Sequence, residues 1–125
     1  MNEHILHVHV AEPLAKSLAR AAETMEALER QEAVEPYLGI GFADVGRMLA
    51  VLTPRRWDLI AMLREKGPMN IAEVARVTGR NYKNVHQDIL TLMEWHILDR
   101  DEEGHIHAPF DELVLDVKLP GAKAA

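Results

Sequence analysis

Cysteine is absent from the 125 residues, and aromatic residues make up only 5% of them. Without thiols the chain forms no disulfide, no thiolate nucleophile and no cysteine-ligated zinc site. No apolar run approaches the roughly 20 residues that span a bilayer. The first residues, Met1 to His4, lack the basic start and apolar stretch of a secretory signal. The sequence therefore predicts a cytoplasmic protein with no membrane segment.

Positive charge is also scarce, since the formal net charge is −6. Such a balance counts against a nucleic-acid partner, because attraction to phosphate supplies much of the affinity for DNA. The distribution of charge matters more than the sum. The stretch 75–87 holds three basic residues and no acid, whereas acids gather at 99–103 and 111–116. The sequence thus allows a local basic patch on an acidic protein.

The first part of the chain, residues 1–51, is predicted to form a strand–helix–strand extension. Residues 4–10 alternate as a strand, a helix runs from Leu14 to about Arg30, and 37–42 form a second, short strand. Asp44 is expected to cap a further short helix that ends at Val51.

An apolar stripe runs along the first predicted helix. It consists of Leu14, Leu18, Ala21, Met25 and Leu28. Spacings of three and four residues place these side chains on one helix face. Two interpretations stay open, an intramolecular core and the seam of a homodimer, and we favour the seam.

The second part, residues 52–119, carries clear helix signals. Thr53 followed by Pro54 predicts a helix start, and Asn70 with Glu73 predicts a capping box at the next one. Gly79 supplies a residue that tolerates positive φ in a tight turn. Residues 81–95 then predict a third helix, which buries Val85, Ile89 and Leu92 and turns Lys83, Asn84 and Gln87 outward.

Extended segments follow these helices. Residues 96–100 and 105–107 flank an acidic turn that contains Gly104, and they predict a hairpin. Alternating Leu113, Leu115, Val117 and Leu119 predict a last strand, and residues 120–125 are expected to be a frayed tail.

Five motifs of the second part carry a family resemblance. They are LTPRR (52–56), GP (67–68), IAEVA (71–75), GRNYKNV (79–85) and DRDEEG (99–104). Together they resemble the short prokaryotic winged helix-turn-helix regulators of the MarR and ArsR kind, strongly over 52–109 and loosely over 1–51. The nearest group carries a strand–helix segment before its Leu-Thr-Pro start. The resemblance implies an α+β fold, a winged helix-turn-helix with an N-terminal strand–helix–strand extension.

The same resemblance places the helix from Asn81 in the DNA groove and the hairpin near the DNA backbone. Arginine pairs with guanine, and asparagine and glutamine pair with adenine. The expected DNA-binding residues are Arg80, Asn81, Tyr82, Lys83, Asn84, Gln87, Arg55, Arg56 and Arg100. Two interpretations stay open for Arg55 and Arg56, which either contact DNA phosphate or are ordinary surface charges. Two also stay open for Tyr82, which either contacts phosphate or packs in the core. The hairpin tip is acidic and repels phosphate, so Arg100 or His105 would make its contact.

Two His-X-His pairs are the remaining chemistry-bearing groups. His7 and His9 form one pair, and His105 and His107 form the other. Such pairs can ligate zinc, nickel or copper, but no third ligand is fixed by spacing, and we expect no metal and no other cofactor. No nucleophile triad, phosphate-cradling glycine loop or paired catalytic carboxylate is present, so the sequence does not predict an enzyme.

Two functions remain. The first is a sequence-specific, double-stranded DNA-binding transcriptional regulator, a dimeric repressor. The alternative is an antitoxin or a protein-interaction winged helix that neutralises a small, toxin-like partner protein, a role that some relatives in the resemblance are thought to have.

Overall fold

A computed structural model describes residues 4–34 and 37–119. The fold is mixed α+β, as the sequence predicts. The elements in chain order are β1 (Ile5–Val10), α1 (Leu14–Glu29), β2 (Leu38–Phe42), α2 (Val45–Val51), α3 (Pro54–Lys66), α4 (Ile71–Thr78), α5 (Tyr82–Glu94), β3 (Asp99–Arg100), β4 (Ile106–His107) and β5 (Glu112–Val117). The chain divides into two compact units, Met1–Met48 with Phe110–Ala125, and Leu49–Pro109. No helix within the described ranges is long and apolar enough to cross a membrane.

The first unit is built on a parallel sheet of three strands in the order β2-β1-β5. In the central strand, Val8 lies opposite Ile40 on one side and Leu115 on the other. Leu6, Val8 and Val10 are buried, whereas the histidines between them are half-buried on the opposite face. The alternation of side chains that the sequence indicates for this strand is thus confirmed.

Helix α1 forms where the sequence places it, but its apolar stripe lies outward. Leu14 is 73% exposed and Met25 is 62% exposed, and no residue of the helix is buried. The favoured interpretation of this stripe as a dimer seam therefore stays a prediction, and the alternative interpretation as an intramolecular core is wrong. The reason is a polar anchor on another side of the helix, where the Arg20 guanidinium donates to the Glu12 carboxylate and lies 4.2 Å from the centroid of the Tyr37 ring.

The last strand differs from the sequence prediction in its place. The sequence assigns 52–119 to one domain, but β5 pairs in parallel with β1 over its whole length, from Ile5 opposite Glu112 to Val10 opposite Val117. Hydrogen bonds between residues far apart in sequence decide this pairing, and no local pattern encodes it. The predicted frayed tail, 120–125, lies outside the described residues.

The second unit contains α3, α4 and α5 followed by the antiparallel pair β3–β4. Thr53 accepts a hydrogen bond from the Arg56 amide at the start of α3, and Asn70 and Glu73 form both bonds of a capping box at the start of α4. Gly79 ends α4 with φ of 67°, in the left-handed region. These predicted boundaries are confirmed, because each rests on a local backbone requirement.

A single apolar core holds the second unit together. Its fully buried side chains include residues of all three helices and of β4: Leu59, Leu63, Val74, Val85, Ile89, Leu92 and Ile106. Ile106 also exchanges two backbone hydrogen bonds with Met69, so β4 is tied to the connection between α3 and α4. Helix α5 contributes its buried side, Val85, Ile89 and Leu92, to this core.

Candidate nucleic-acid interface

The N-terminal half of α5 presents a polar face. Lys83, Asn84 and Gln87 are exposed, whereas Val85 and Ile89 are fully buried. The polar and the apolar side chains lie on different faces of the helix. Because the apolar face packs into the core, the polar face points away from it. The predicted outward orientation of these three polar side chains is confirmed.

Asn81 has a structural role that the predicted DNA contact did not include. Its side-chain oxygen accepts hydrogen bonds from the backbone amides of Lys83, at 2.8 Å, and Asn84, at 3.4 Å. It is the N-cap of α5, and these bonds satisfy amides that have no partner inside the helix. The signal for this role was its residue type immediately before the helix.

Arg80 and Arg56 converge on one carboxylate. Arg80 Nη2 lies 2.6 Å from Asp88 Oδ2, and Arg56 Nε lies 3.1 Å from Asp88 Oδ1. The three side chains are only 16–18% exposed. Arg56 Nη1 also donates to the carbonyl oxygens of Val51, at 2.9 Å, and Ala50, at 3.2 Å. Both arginines therefore join α5 to the segments before it, in addition to any contact with DNA.

Asp88 is the site residue that the sequence analysis missed. It is the only acid between Ala75 and Met93, and it follows Asn84 by one helical turn. A lone carboxylate in a basic stretch, one turn along the same face, is a signal for an internal ion pair.

Tyr82 lies outside the core, so the interpretation of this side chain as a core residue is wrong. Its side chain is 53% exposed, and its ring stacks against His86 with centroids 6.0 Å apart and planes 12° apart. The residue i+4 along the helix supplies this partner, so the ring is held on the surface.

A polar cavity of about 330 Å³ opens beside this face, at the starts of α3 and α5. Seven residues line it: Thr53, Arg55, Arg56, Arg80, Asn84, Gln87 and Asp88. Five of the nine residues predicted to bind DNA are thus brought together around one cavity. Tyr82 and Lys83 are exposed in the first turn of α5, and Arg100 is exposed in β3.

The β3–β4 hairpin uses an acid to shape its turn. The Asp101 carboxylate accepts hydrogen bonds from the backbone amides of His105 and Glu103, each at 2.9 Å. These bonds, that of His105 first, hold the pKa of Asp101 below its ordinary value. His105 Nδ1 lies 3.5 Å from Glu103 and 3.7 Å from Asp101. Acids at this tip therefore organise the turn.

The other histidine pair belongs to the first unit. His7 and His9 both stack with Tyr37, and His9 Nδ1 lies 3.5 Å from the Glu12 carboxylate and 3.8 Å from that of Asp116. Partial burial raises the pKa of Tyr37. Across residues 4–34 and 37–119, no three His, Asp or Glu side chains are grouped as ligands of a metal ion.

The second unit is thus a three-helix and hairpin assembly with one exposed cationic and amide-bearing helix face. The model of the HVO_A0114 family matches residues 51–115, slightly more than half of the chain, and the chain belongs to that family. The matched stretch contains the whole of α3, α4, α5 and the hairpin. No curated protein and no solved structure matches the chain.

Proposed function

We propose that this chain is a sequence-specific DNA-binding transcriptional regulator of the winged helix-turn-helix type, a dimeric repressor. The observation that carries the proposal is the exposed set Lys83, Asn84 and Gln87 on the first two turns of α5. The buried side of the same helix anchors it to α3 and α4, so the exposed side is presented on a rigid element.

The elements have the order and contacts that such a reader needs. Helices α4 and α5 are joined by a tight turn at Gly79, and Ala75 is buried in α4. A major groove about 12 Å wide admits one helix, whose first residues then reach base edges. Lysine and the two amides are residue types that make such contacts, and β3–β4 would be the wing.

Charge supports the choice of this surface although the chain as a whole is acidic. Residues 82–87 of α5 include no acid, and the carboxylate of Asp88, the next residue, is bound by two guanidiniums. The acidic hairpin tip argues for backbone contact by Arg100 rather than by the turn itself. A cationic region on an acidic protein directs the duplex to one face.

The proposed dimer would use the exposed apolar stripe of α1. Its Leu14, Leu18, Ala21, Met25 and Leu28 follow the four-three spacing of a helix-pair seam. Dimeric helix-turn-helix proteins commonly place their two recognition helices in half-sites about one helical turn of DNA apart. A homodimer would therefore match a palindromic operator.

The same stripe favours a second candidate, a protein-interaction module of antitoxin type. Exposed apolar side chains on α1 could hold a small partner protein as well as a second copy. Purification of the tagged chain from its native host discriminates between the two. A homodimer alone favours the repressor, and stoichiometric co-purification of a small neighbour-encoded protein favours the antitoxin.

Genomic footprinting of the tagged chain tests the proposed function itself. We expect a few discrete sites that share a palindromic sequence, with one close to the chain's own gene. The matched control is a Lys83→Ala/Gln87→Ala double variant, which changes only exposed side chains. Footprints that are unchanged in that variant, or no footprints above background for the wild type, would refute the proposal.

A further inference from the structure

The polar cavity beside α5 is chemically unlike the rest of the chain. Its seven lining residues include no apolar side chain. Three guanidiniums and one carboxylate give the lining a formal charge of +2, in a chain whose net charge is −6. A positively charged lining of this kind attracts anions and repels cations.

Hydrogen-bond donors exceed acceptors in this cavity. Asp88 accepts from Arg80 Nη2 and Arg56 Nε, but Nε and Nη1 of Arg80 are buried without a hydrogen-bond partner. Arg55 is exposed at the cavity, and the amides of Asn84 and Gln87 add further N–H groups. The carboxylate of Asp88 thus uses only part of the donor capacity of the arginines in this cluster.

We infer that the cavity seats one phosphate group. Guanidinium groups bind phosphate oxygens in a fork geometry, and a volume of about 330 Å³ is ample for one phosphate with its bridging waters. Thr53, the N-cap of α3, lies in the lining, so the positive end of that 13-residue helix also faces the cavity. An apolar ligand has no matching surface here.

Two sources can supply this phosphate group, a DNA backbone and a free phosphate. The first source rests on the proposed function, and the second does not depend on it. Asn84 and Gln87 belong to both the cavity and the exposed face of α5. A backbone phosphate held between them and Arg55 would fix the register of α5 along the groove, which is the role of phosphate contacts in DNA readers.

Two variants of the 125-residue chain are designed to remove the site while keeping the fold. Arg55→Gln deletes an exposed guanidinium, and Gln87→Glu adds a carboxylate in nearly the same shape. Arg30→Gln is the matched control, because Arg30 is exposed, belongs to the other unit and gives the same change in net charge as Arg55→Gln. Circular dichroism verifies that all three variants are folded.

The first arm uses inorganic phosphate alone, followed by ³¹P NMR and by the thermal midpoint at constant ionic strength. We expect saturable line broadening and a raised midpoint for the wild type and Arg30→Gln, and neither effect for Arg55→Gln or Gln87→Glu. The second arm measures the affinity for a duplex at several salt concentrations. Loss of one phosphate contact should lower the salt slope by about 1 and weaken operator and scrambled duplex alike, by about fivefold.

The outcomes separate this inference from the proposed function. A response to phosphate that Arg55→Gln and Gln87→Glu both lose, without any duplex binding, supports the cavity and refutes the DNA proposal. If both variants bind duplex more weakly than the wild type and with a lower salt slope, the cavity holds a phosphate of the DNA backbone. This conclusion stands whether or not free phosphate binds. The inference is overturned if the two variants bind duplex as the wild type does and phosphate gives either no response or an equal response in the variants. It is equally overturned if neither phosphate nor duplex binds.

Discussion

Arg80 and Asp88 form an ion pair of 2.6 Å that links the turn before α5 to the second turn of that helix. The sequence indicated that Arg80 reads a base, and its replacement would then leave stability unchanged. The pair alters that expectation, since both side chains are more than four-fifths buried. Lys83, Asn84 and Gln87, which are exposed, are the residues whose replacement isolates DNA contact from folding.

Removal of the Asp88 carboxylate should lower stability. Asp88→Ala leaves Arg56 and Arg80 without their shared partner, and we expect a loss of about 2 kcal/mol in the free energy of unfolding, measured with urea. Lys83→Ala, which removes an exposed side chain of the same helix, is the control and should cost under about 0.5 kcal/mol. Equal stability of the two variants would contradict the structural role given to Asp88.

Asn81 should act through its cap rather than through a base. Asn81→Ser keeps a side-chain oxygen at the N-cap, whereas Asn81→Ala removes it, so only the alanine variant should lose about 1 kcal/mol of stability. Duplex affinity should follow the same order. Should Asn81→Ser bind an operator as weakly as Asn81→Ala while keeping full stability, the amide would be a base contact instead.

Gly79 should be required for its backbone conformation alone. Its φ is 67°, and a Cβ added there would meet no atom within 4 Å. Gly79→Ala should therefore cost about 1 kcal/mol through backbone strain, and Gly79→Asn should cost less because asparagine tolerates the left-handed region. Urea denaturation ranks the three proteins. A cost for asparagine above that for alanine would point to a steric cause.

The β3–β4 hairpin should weaken in acid. The pKa of Asp101 in the folded chain is held below its ordinary value of 3.8 by backbone hydrogen bonds from His105 and Glu103, so the carboxylate contributes stability above 3.8. That contribution is lost as the pH falls through the lowered value. Amide shifts of residues 103 and 105, followed by NMR from pH 6 to pH 2, should report the transition.

Asp101→Asn is the matched variant for this pH dependence. Its hairpin should be less stable than that of the wild type at pH 6, and the difference should shrink as the pH drops below 3.8, because the wild-type carboxyl is then also uncharged. A difference that stays constant across this range would show that ionisation of Asp101 does not stabilise the turn.

Local signals made most of the second unit predictable. Thr53, Asn70 and Gly79 each satisfy a backbone requirement at a helix end, and such requirements are readable from residue type and spacing. The buried periodicity of Val85 and Ile89 likewise fixed which side of α5 faces outward. These features concern neighbours within about one helical turn.

Contacts between distant residues were beyond the sequence analysis. The partner of β5 lies more than 100 residues earlier in the chain, in β1, and nothing in alternating Leu113 and Leu115 specifies it. The orientation of α1 depends on Arg20 meeting Tyr37, a contact across separate elements. The role of Arg56 likewise depends on Asp88, 32 residues away. These three predictions changed because of tertiary contacts, whereas those for Asn81 and Tyr82 changed because of neighbours within one helical turn.

The most direct test is selection of duplexes from a random pool by the purified 125-residue chain, in parallel with a folded Lys83→Ala/Asn84→Ala/Gln87→Ala variant. We predict that the wild type enriches one palindromic motif and that the variant enriches none. The same motif enriched by both proteins, or no enrichment by the wild type, would contradict the claim that α5 enters and reads the major groove.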